Sequence, residues 1–351
     1  MFTVNSLDDQ RNAPQEMTIA TFGTRTMPLA PTLSEIQTAN SALAGRIVPT
    51  PTLTLNSDRF AGHLPERANV RMKMELFQQA GSFKSRGVLL AIDALSDDER
   101  AAGVTAVSAG NHALAVSWGA KSAGLSAKVV MPDTADPIRV EGCKASGAEV
   151  VLASNVGEAF AEAQRLVDEE GRTMLHPFES PYMMLGAATC GFELANAFEQ
   201  LDIAIIPVGG GGLISGMSSA IKLVHPGCKI YGVEPFGADS MFQSFEKGEA
   251  IHLDGVNTIA DSLGAPMALP NSFAVTRANV DSIVRLEDSA LSEAMQLLYD
   301  GLKLVAEPAC AATTAALAGP LKQECVGKNV AIIACGSNIG IPKFTGLLPT
   351  Q

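Results

Sequence analysis

The sequence has no uninterrupted apolar run that approaches the ~18 residues of a membrane-spanning helix, so we expect no bilayer-spanning segment. Its beginning carries Asp8, Asp9 and Glu16 and lacks the basic-then-apolar pattern of a secretory signal peptide, which favours the cytoplasm. Basic residues are also in deficit, because 25 Lys and Arg face 37 Asp and Glu and give a formal charge of −12. Nucleic acids and anionic membranes would repel such a chain, so we expect neither as a partner.

Metal-binding and disulfide patterns are missing as well. The six cysteines form no CxxC pair and the five histidines form no HxxxH pair, so zinc-ligand spacing is absent. In a reducing compartment these cysteines are free thiols by default. No lysine follows a glycine-rich loop in the Walker pattern, which argues against a nucleoside triphosphate as ligand.

What the sequence does have is a large apolar fraction that turn-forming residues interrupt often. With 47% hydrophobic residues, 32 glycines and 19 prolines among 351 residues, the chain can bury the cores of about two domains. Short strands and helices alternate along most of it, which predicts an α/β architecture with parallel sheets. The first thirty residues are polar and dotted with proline, which predicts a loosely packed extension.

The predicted elements locate the strand ends, beyond which ligands of parallel α/β sheets bind. The predicted strands are residues 104–107, 127–131, 149–152, 174–175, 203–208, 229–233, 282–286 and 330–335. The predicted helices are residues 33–43, 113–123, 138–145, 157–169, 189–199, 213–224, 289–303 and 310–317. Asp288 or Ser289 is the predicted N-cap of the helix at residues 289–303. An extended segment is expected at residues 48–55.

The first candidate site is the segment GSFKSRG at residues 81–87. Its Lys84 lies among small residues at a predicted turn-to-helix junction, where a lysine could form a Schiff base. Most lysines, however, are solvated surface residues. This segment alone does not decide between the two.

The second candidate is a run of glycines between a predicted buried strand and a predicted helix: Gly209, Gly210, Gly211 and Gly212. Their amides can point into one concavity, and the helix dipole adds positive potential, so the run predicts a phosphate site. Dinucleotide binding shares this context but fits the GxGxxG spacing poorly. A merely flexible connection is the remaining alternative.

The third candidate is the segment Ser108-Ala109-Gly110-Asn111-His112, which also follows a predicted strand and precedes a predicted helix. Its polar side chains and helix-start amides favour a bound carboxylate. An N-cap by Ser108 and a packed first-turn His112 would explain part of the pattern without any ligand. A fourth segment, CGSN at residues 335–338, reads by itself as an ordinary turn after the last strand.

In this combination and order the motifs resemble the fold-type II pyridoxal phosphate enzymes, and more narrowly the threonine/serine dehydratase family, which includes serine racemase. The matching segments span residues 48–340 and are Lys73-x-Glu75-x-x-Gln78 before Lys84, residues 108–112, residues 209–212, Gly232-Val233-Glu234-Pro235, and Glu307-Pro308. The resemblance implies a tryptophan synthase β-like fold with two three-layer α/β domains and mostly parallel sheets. It implies a large cofactor-binding domain of residues 1–102 and 179–351, and a small mobile domain of residues 103–178.

The resemblance also implies the chemistry. Pyridoxal 5′-phosphate would form a Schiff base with Lys84, which would then remove the substrate Cα proton. The reaction would eliminate water and ammonia from a small β-hydroxy amino acid of the L-threonine or L-serine type and leave a 2-oxo acid. A 3-hydroxyaspartate dehydratase, a serine racemase-like activity, a β-replacement synthase and a non-catalytic amino-acid-binding relative are the alternatives. We expect a homodimer or a higher homo-oligomer.

Individual roles follow from the same resemblance. Phe83 would pack on the pyridine ring, Asn111 would hydrogen-bond the phenolic oxygen, and Cys335 would contact the pyridine nitrogen. The phosphate would be held by Gly209, Gly210, Gly211, Gly212 and the amide of Leu213. The substrate carboxylate would be lined by Ser108, Ala109, Gly110, Asn111 and His112.

Some positions depart from the family pattern. Ala109 replaces the serine with which racemases exchange a proton, so racemisation is disfavoured. Cys335 replaces a serine, and since a neutral thiol is a weak donor, the pyridine nitrogen should stay unprotonated, which suits elimination. Ala80 replaces a threonine, and GAAT at residues 186–189 replaces Gly-Gln-Gly-Thr, which indicates an altered active-site wall.

Two further expectations concern a metal and the end of the chain. Glu234 and the Ala238 carbonyl match two positions at which some relatives bind a divalent cation, but Ser240 stands where aspartate is usual. We therefore expect no bound metal. No regulatory domain of the kind found in long threonine deaminases is expected after the last strand.

Overall fold

The computed structural model describes residues 30–55, 57–60 and 62–350, so the predicted N-terminal extension lies outside the described residues except for Ala30. Within these residues the chain alternates strands and helices. The strands are β1 (Thr52–Thr54), β2 (Asn69–Lys73), β3 (Val104–Val107), β4 (Ala127–Pro132), β5 (Glu149–Ala153), β6 (Thr173–Met174), β7 (Ile203–Pro207), β8 (Lys229–Pro235), β9 (Ser282–Leu286) and β10 (Asn329–Ile333).

The helices connect and cover these strands, and no helix among the described residues is long and apolar enough to cross a membrane. They are α1 (Leu33–Leu43), α2 (Lys84–Asp93), α3 (Asp97–Ala102), α4 (Asn111–Ser122), α5 (Pro137–Ala145), α6 (Val156–Glu170), α7 (Pro181–Ala195), α8 (Gly212–Val224), α9 (Ser240–Lys247), α10 (Pro270–Asn279), α11 (Asp288–Leu302), α12 (Pro308–Ala318) and α13 (Ile341–Leu347).

The larger sheet has six strands in the order β1-β2-β10-β7-β8-β9. Only the edge pair β1–β2 is antiparallel, and each of the other neighbouring pairs is parallel. Every residue of β7 is buried, as its continuous apolar run requires in a parallel strand covered on both faces. This sheet confirms the predicted α/β class with mostly parallel strands.

The smaller sheet has four strands in the order β5-β4-β3-β6, and all of its pairs are parallel. Its strands lie between residues 104 and 174, inside the segment predicted to form the small domain. Its apolar core is formed by buried side chains of β3, β4, α4 and α5, together with Val88, Ala91 and Ile92 of α2 and Met183 of α7. The exact domain boundaries, and the mobility of this unit, stay predictions.

The start of one predicted helix and the predicted N-cap of another are wrong. The helix predicted at residues 189–199 begins instead at Pro181, because proline at the first helical position has a fixed φ suited to that place. The N-cap of α11 is Glu287, and Asp288 instead accepts hydrogen bonds from the Thr258 hydroxyl at 2.6 Å and the Ile259 amide at 2.9 Å. The aspartate therefore fastens a neighbouring loop.

Strand β2 was not predicted, because its sequence NVRMK breaks the apolar pattern of a central strand. Its Lys73 is nevertheless almost completely buried. The ammonium donates to the Thr50 carbonyl at 2.6 Å and pairs with Glu193 at 2.8 Å. Those partners come from elsewhere in the chain and make the buried charge tolerable.

The sheet order decides where the predicted motifs meet. Strands β2, β10 and β7 are neighbours, and their carboxyl ends lead to Lys84, Cys335 and the glycine run, respectively. Strand β3 of the smaller sheet leads to residues 108–112. Four segments far apart in sequence are thus brought to one edge of the fold.

Candidate active site

Lys84 is the first residue of α2, and the turn before it is tightly built. The preceding Phe83 donates its amide to the Cys335 carbonyl at 3.3 Å, and Ser82 forms an isolated bridge with Gly336. Gly81 has a φ of +70°, and a Cβ there would lie 2.4 Å from the side-chain oxygen of Asn338. The lysine is therefore fixed against the end of β10.

The Lys84 side chain is half-buried, and its Nζ donates to the Pro177 carbonyl. Burial lowers the pKa of its ammonium from the usual 10.5 to about 8. Burial also lowers the pKa values of His112 and His176, to about 3 and about 4, and the nearby Lys84 charge adds to both shifts. Both imidazoles are thus neutral near pH 7, and Lys84 is a base of unusually low pKa.

The four glycines form the turn from β7 into α8. No hydrogen bond joins the amides of Gly209, Gly210, Gly211 or Gly212 to another described residue. Gly211 has a φ of +90°, and a Cβ at Gly210 would lie 2.4 Å from the ring of Phe178. Unpaired amides at the N-terminus of a 13-residue helix form an anion site, so this turn fits the phosphate of pyridoxal phosphate.

The Leu213 side chain is buried beside this turn as the second residue of α8. Phe83 is partly buried against the core of the larger sheet, and the Lys84 Nζ lies 5.2 Å from the centre of its ring. A planar ring is thereby available next to the lysine. Both positions fit the roles predicted for these residues.

Asn111, the first residue of α4, is held through both atoms of its amide. Its Nδ2 donates to Glu307 Oε1 at 2.6 Å and to the Ser262 hydroxyl at 3.3 Å. Its Oδ1 accepts from Asn338 Nδ2 at 2.7 Å. A Cβ at Gly336 would lie 2.5 Å from Glu307 Oε1, so a glycine there makes room for the Asn111–Glu307 pair.

The other residues of segment 108–112, which is predicted to bind the substrate carboxylate, are half-buried or buried at the same end of β3. The Ser108 hydroxyl accepts from the Gly110 amide at 3.1 Å and does not cap the helix, whose N-cap is Gly110. His112 Nε2 lies 2.7 Å from the Leu175 carbonyl and therefore carries the proton, while Nδ1 is buried without a partner among the described residues. Ala109 packs against the smaller core.

Cys335 is buried, and its thiol lies 3.7 Å from the Ala309 carbonyl. A hydrogen bond with Cys310 and burial both raise the pKa of this thiol well above its usual value. The side chain is therefore neutral, as its predicted contact with the pyridine nitrogen requires. The six cysteines are all buried free thiols.

Glu234, one of the two predicted metal candidates, is occupied by other bonds. Both carboxylate oxygens of Glu234 accept main-chain amides, from Met241 at 2.9 Å and Phe242 at 2.8 Å, and burial raises its pKa to about 8. Ala238 lies in the short turn that follows. In the described part of the chain, no three His, Cys, Asp or Glu side chains are grouped so that they could hold a metal ion.

The GAAT segment does not form an open wall, since it lies inside α7. A Cβ at Gly186 would lie 2.3 Å from the Gly87 amide nitrogen, which shows how closely α7 crosses α2. Ala187 and Ala188 are buried, and Ala187 lies against Gly216 of α8. The Thr189 hydroxyl accepts from Arg86 at 3.1 Å. Its small residues thus serve helix packing beneath Lys84.

Sequence reasoning gave no role to Glu307, Asn338, Arg139 and Phe178, although the structure places all four at the site. Glu307 belongs to the Glu307-Pro308 motif and Asn338 to the CGSN segment at residues 335–338, so these two motifs could have indicated both residues. Arg139 and Phe178 lie in no motif, so only their contacts reveal them. Arg139 pairs with Glu307 at 3.1 Å, and Phe178 covers Gly210.

Known proteins resemble this chain in sequence and in fold. The family model described as pyridoxal-phosphate dependent enzyme matches residues 44–336. The chain is 50% identical to phenylserine dehydratase from Ralstonia pickettii over 78% of this chain and 84% of that protein. It is 35% identical to L-threo-3-hydroxyaspartate ammonia-lyase from Saccharomyces cerevisiae over 91% of this chain and 97% of that protein. The structure of maize serine racemase, a fold-type II enzyme, is similar to this one with a TM-score of 0.83 and 32% sequence identity. The match covers 90% of this chain and 96% of that one.

Proposed function

Because this chain belongs to the family of pyridoxal-phosphate dependent enzymes and is an ammonia-lyase of β-hydroxy amino acids, we propose that its preferred substrate carries an aromatic ring on Cβ, as phenylserine does. The observation that carries this proposal is the 50% identity with phenylserine dehydratase, which is well above the 35% shared with the hydroxyaspartate enzyme. Phe178 lies against the glycine turn and adds aromatic surface there. Aromatic rings favour aromatic partners.

We propose the following division of labour among the residues. When bound, the cofactor supplies an electron sink for the bonds of the substrate Cα. Lys84 holds the cofactor covalently between turnovers, and its Nζ, with a pKa of about 8, takes the proton from the substrate Cα. The amides of residues 209–212 bind the phosphate, and Asn111 orients the ring through its phenolic oxygen.

The substrate carboxylate would be bound by neutral donors of residues 108–112. A neutral site is consistent with the charges around it, because the Arg139 guanidinium beside Gly110 is already paired with Asp261 and Glu307. His112 stays uncharged near pH 7 since burial lowers its pKa to about 3. Ala109 provides no hydroxyl for a second proton transfer, which favours elimination over racemisation.

A 3-hydroxyaspartate-type substrate is the second candidate, because the yeast relative covers almost the whole chain. Its side-chain carboxylate would need a cationic partner in the site. Lys84 is engaged with the Cα proton, and Arg139 is committed to two carboxylates. The charge balance therefore favours the apolar aromatic substrate.

A substrate panel tests the proposal. The purified holoenzyme is supplied with L-threo-phenylserine, L-threonine, L-serine and L-threo-3-hydroxyaspartate, and 2-oxo acid and ammonia are measured together. We expect the highest kcat/KM with phenylserine, with phenylpyruvate as product. A higher kcat/KM for hydroxyaspartate or threonine would contradict the aromatic preference and leave the lyase assignment intact.

We also propose that the protein is cytoplasmic and forms a homodimer or a higher homo-oligomer. Six buried free thiols support a reducing compartment. Light scattering coupled to size exclusion, performed on the holoenzyme, measures the mass in solution. A mass close to the 36.5 kDa of one chain would contradict the oligomer.

A further inference from the structure

Arg139 is a buried arginine of the smaller-sheet unit, by which we mean the smaller sheet with α4, α5 and α6. Its side-chain hydrogen bonds all lead to the larger-sheet unit, by which we mean the larger sheet with its helices and loops. Arg139 lies in α5 and is 2% exposed. Its guanidinium forms a bidentate pair with Asp261, at 3.0 and 3.1 Å, and its Nε donates to the Asn338 carbonyl at 2.8 Å. Its Nη2 also donates to Glu307 Oε2 at 3.1 Å. The side chain thus joins the two units beside the candidate site.

These bonds place Arg139 one contact away from Asn111. Glu307 accepts from Arg139 on one oxygen and from Asn111 Nδ2 on the other, at 2.6 Å. Asn338 offers its carbonyl to Arg139 and its side-chain amide to Asn111 Oδ1, at 2.7 Å. Arg139, Glu307, Asn111 and Asn338 therefore form a closed ring of hydrogen bonds, which we call the clasp.

The charges in the clasp decide how Asn111 is oriented. Glu307 is completely buried, and burial raises the pKa of its carboxyl while the Arg139 charge opposes that rise. An ionised Glu307 can only accept hydrogen bonds, so Asn111 must present its NH2 group to it. A neutral Glu307 could donate instead, and the amide of Asn111 would lose its fixed orientation.

The clasp also argues against a direct role of Arg139 in binding the substrate carboxylate. Its guanidinium faces Asp261 and Glu307, while Lys343 also pairs with Asp261, at 2.8 Å. Two cations and two carboxylates balance, so little positive potential is left for a ligand. A Cβ at Gly110 would lie 3.1 Å from Arg139 Nη1, so the guanidinium lies close against the loop.

We infer that Arg139 is a positioning residue: it fastens the loop of residues 108–112 to the larger-sheet unit and, through Glu307, fixes the orientation of the Asn111 amide, the group proposed to contact the cofactor. The inference concerns cofactor binding and does not depend on which substrate is preferred. A failure of the aromatic-substrate proposal would therefore leave it standing.

The test compares variants of Arg139 with a matched buried arginine. Arg139→Met removes the charge, whereas Arg139→Lys keeps the charge but cannot form the bidentate pair with Asp261. Arg172→Met is the control, because Arg172 is also buried in the smaller-sheet unit and paired with Glu170 at 2.8 Å, but directly precedes β6, away from the site. Each protein is freed of cofactor and titrated with pyridoxal 5′-phosphate while visible absorbance and Kd are recorded.

We expect Arg139→Met to raise the cofactor Kd by about tenfold or more and to change the visible band, with Arg139→Lys in between. Arg172→Met should lower Tm but leave the Kd and the band as in the wild type. Equal cofactor behaviour of Arg139→Met and the wild type would overturn the inference. So would an Arg139→Met effect confined to the substrate KM, which would indicate direct carboxylate binding.

A milder variant covers the case in which Arg139→Met does not fold. Asp261→Asn weakens the pair at a side chain that is 33% exposed, so the fold should tolerate it. We expect a smaller change of Kd and band in the same direction. An unchanged Kd and band in Asp261→Asn and Arg139→Lys together would count against the clasp.

Discussion

Arg86 and Glu75 form a bidentate ion pair in which neither side chain has any exposed surface. Arg86 also pairs with Glu193 at 2.7 Å and donates to the Thr189 hydroxyl. Since Arg86 follows Lys84 by two residues on α2, the pair anchors the first turn of the helix that carries the lysine. The buried charges therefore fix the position of Lys84.

Arg86→Met should lower the free energy of unfolding by about 3–5 kcal/mol, because it leaves a buried glutamate without its partner. Denaturant unfolding of the cofactor-free protein measures this change. Arg165→Met, at an exposed ion pair of α6, is the control and should leave stability nearly unchanged. Similar decreases in the free energy of unfolding of both variants would show that the buried ion pair stabilises the fold no more than the exposed one does.

The low pKa of Lys84 should appear as a pH dependence of stability. Burial depresses the folded-state pKa to about 8, whereas the unfolded lysine keeps its ordinary value near 10.5. Between these values the unfolded chain binds more protons, so stability rises with pH in that window. As the pH rises through this window, the free energy of unfolding of the cofactor-free wild type should increase by up to roughly 3 kcal/mol relative to Lys84→Met. Solvent screening at this half-buried side chain reduces that gain.

Chemical denaturation of both proteins at several pH values between 7 and 10 measures the difference. Other titrating groups cancel, because they are common to both proteins. At pH 7 the Lys84→Met variant should be the more stable of the two. A stability difference that stays flat across the series would mean that the folded-state pKa is ordinary. With cofactor added, Lys84→Met should also lose lyase activity and the visible band.

Gly211→Ala should weaken cofactor binding. Gly211 has a φ of +90°, and an added Cβ would lie 2.8 Å from Met241 Cε. Gly248→Ala is a matched control, since Gly248 has a φ of +79° and no atom of the described residues lies within 4 Å of an added Cβ. Both variants should lose about 1–2 kcal/mol of stability from the left-handed backbone. Only Gly211→Ala should raise the Kd for pyridoxal 5′-phosphate, and equal Kd values would argue against the phosphate cradle.

Cys335→Ser should change the electronic state of the bound cofactor. The Cys335 thiol is neutral and a weak donor, whereas a hydroxyl is a stronger one and can hydrogen-bond the pyridine nitrogen. We expect the visible absorbance and fluorescence of the holoenzyme to shift. Cys143→Ser, in the core of the smaller sheet, replaces another buried thiol and should leave both spectra unchanged. Unchanged spectra in Cys335→Ser would place the thiol away from the ring.

The sequence predicted most strands and helices because their signals are local. Helix α1 and strands β3 and β9 have the predicted bounds, since apolar periodicity and turn residues mark them. Strand β2 was not predicted, because Lys73 is buried by ion-pair and hydrogen-bond partners that no local sequence pattern reveals. The start of α7 was placed eight residues too late, although Pro181 marks it.

The sequence by itself determined the motifs of the site: a lysine, a glycine run and a serine–asparagine loop, each after a predicted strand or turn. Only the tertiary structure decided what holds them, because the strand order brings the ends of β2, β10 and β7 together. Glu307 meets Asn111 across 196 positions of sequence, and Arg139 meets Glu307 across 168. Such contacts depend on how two sheets are set against each other, and that arrangement is not encoded in any local pattern.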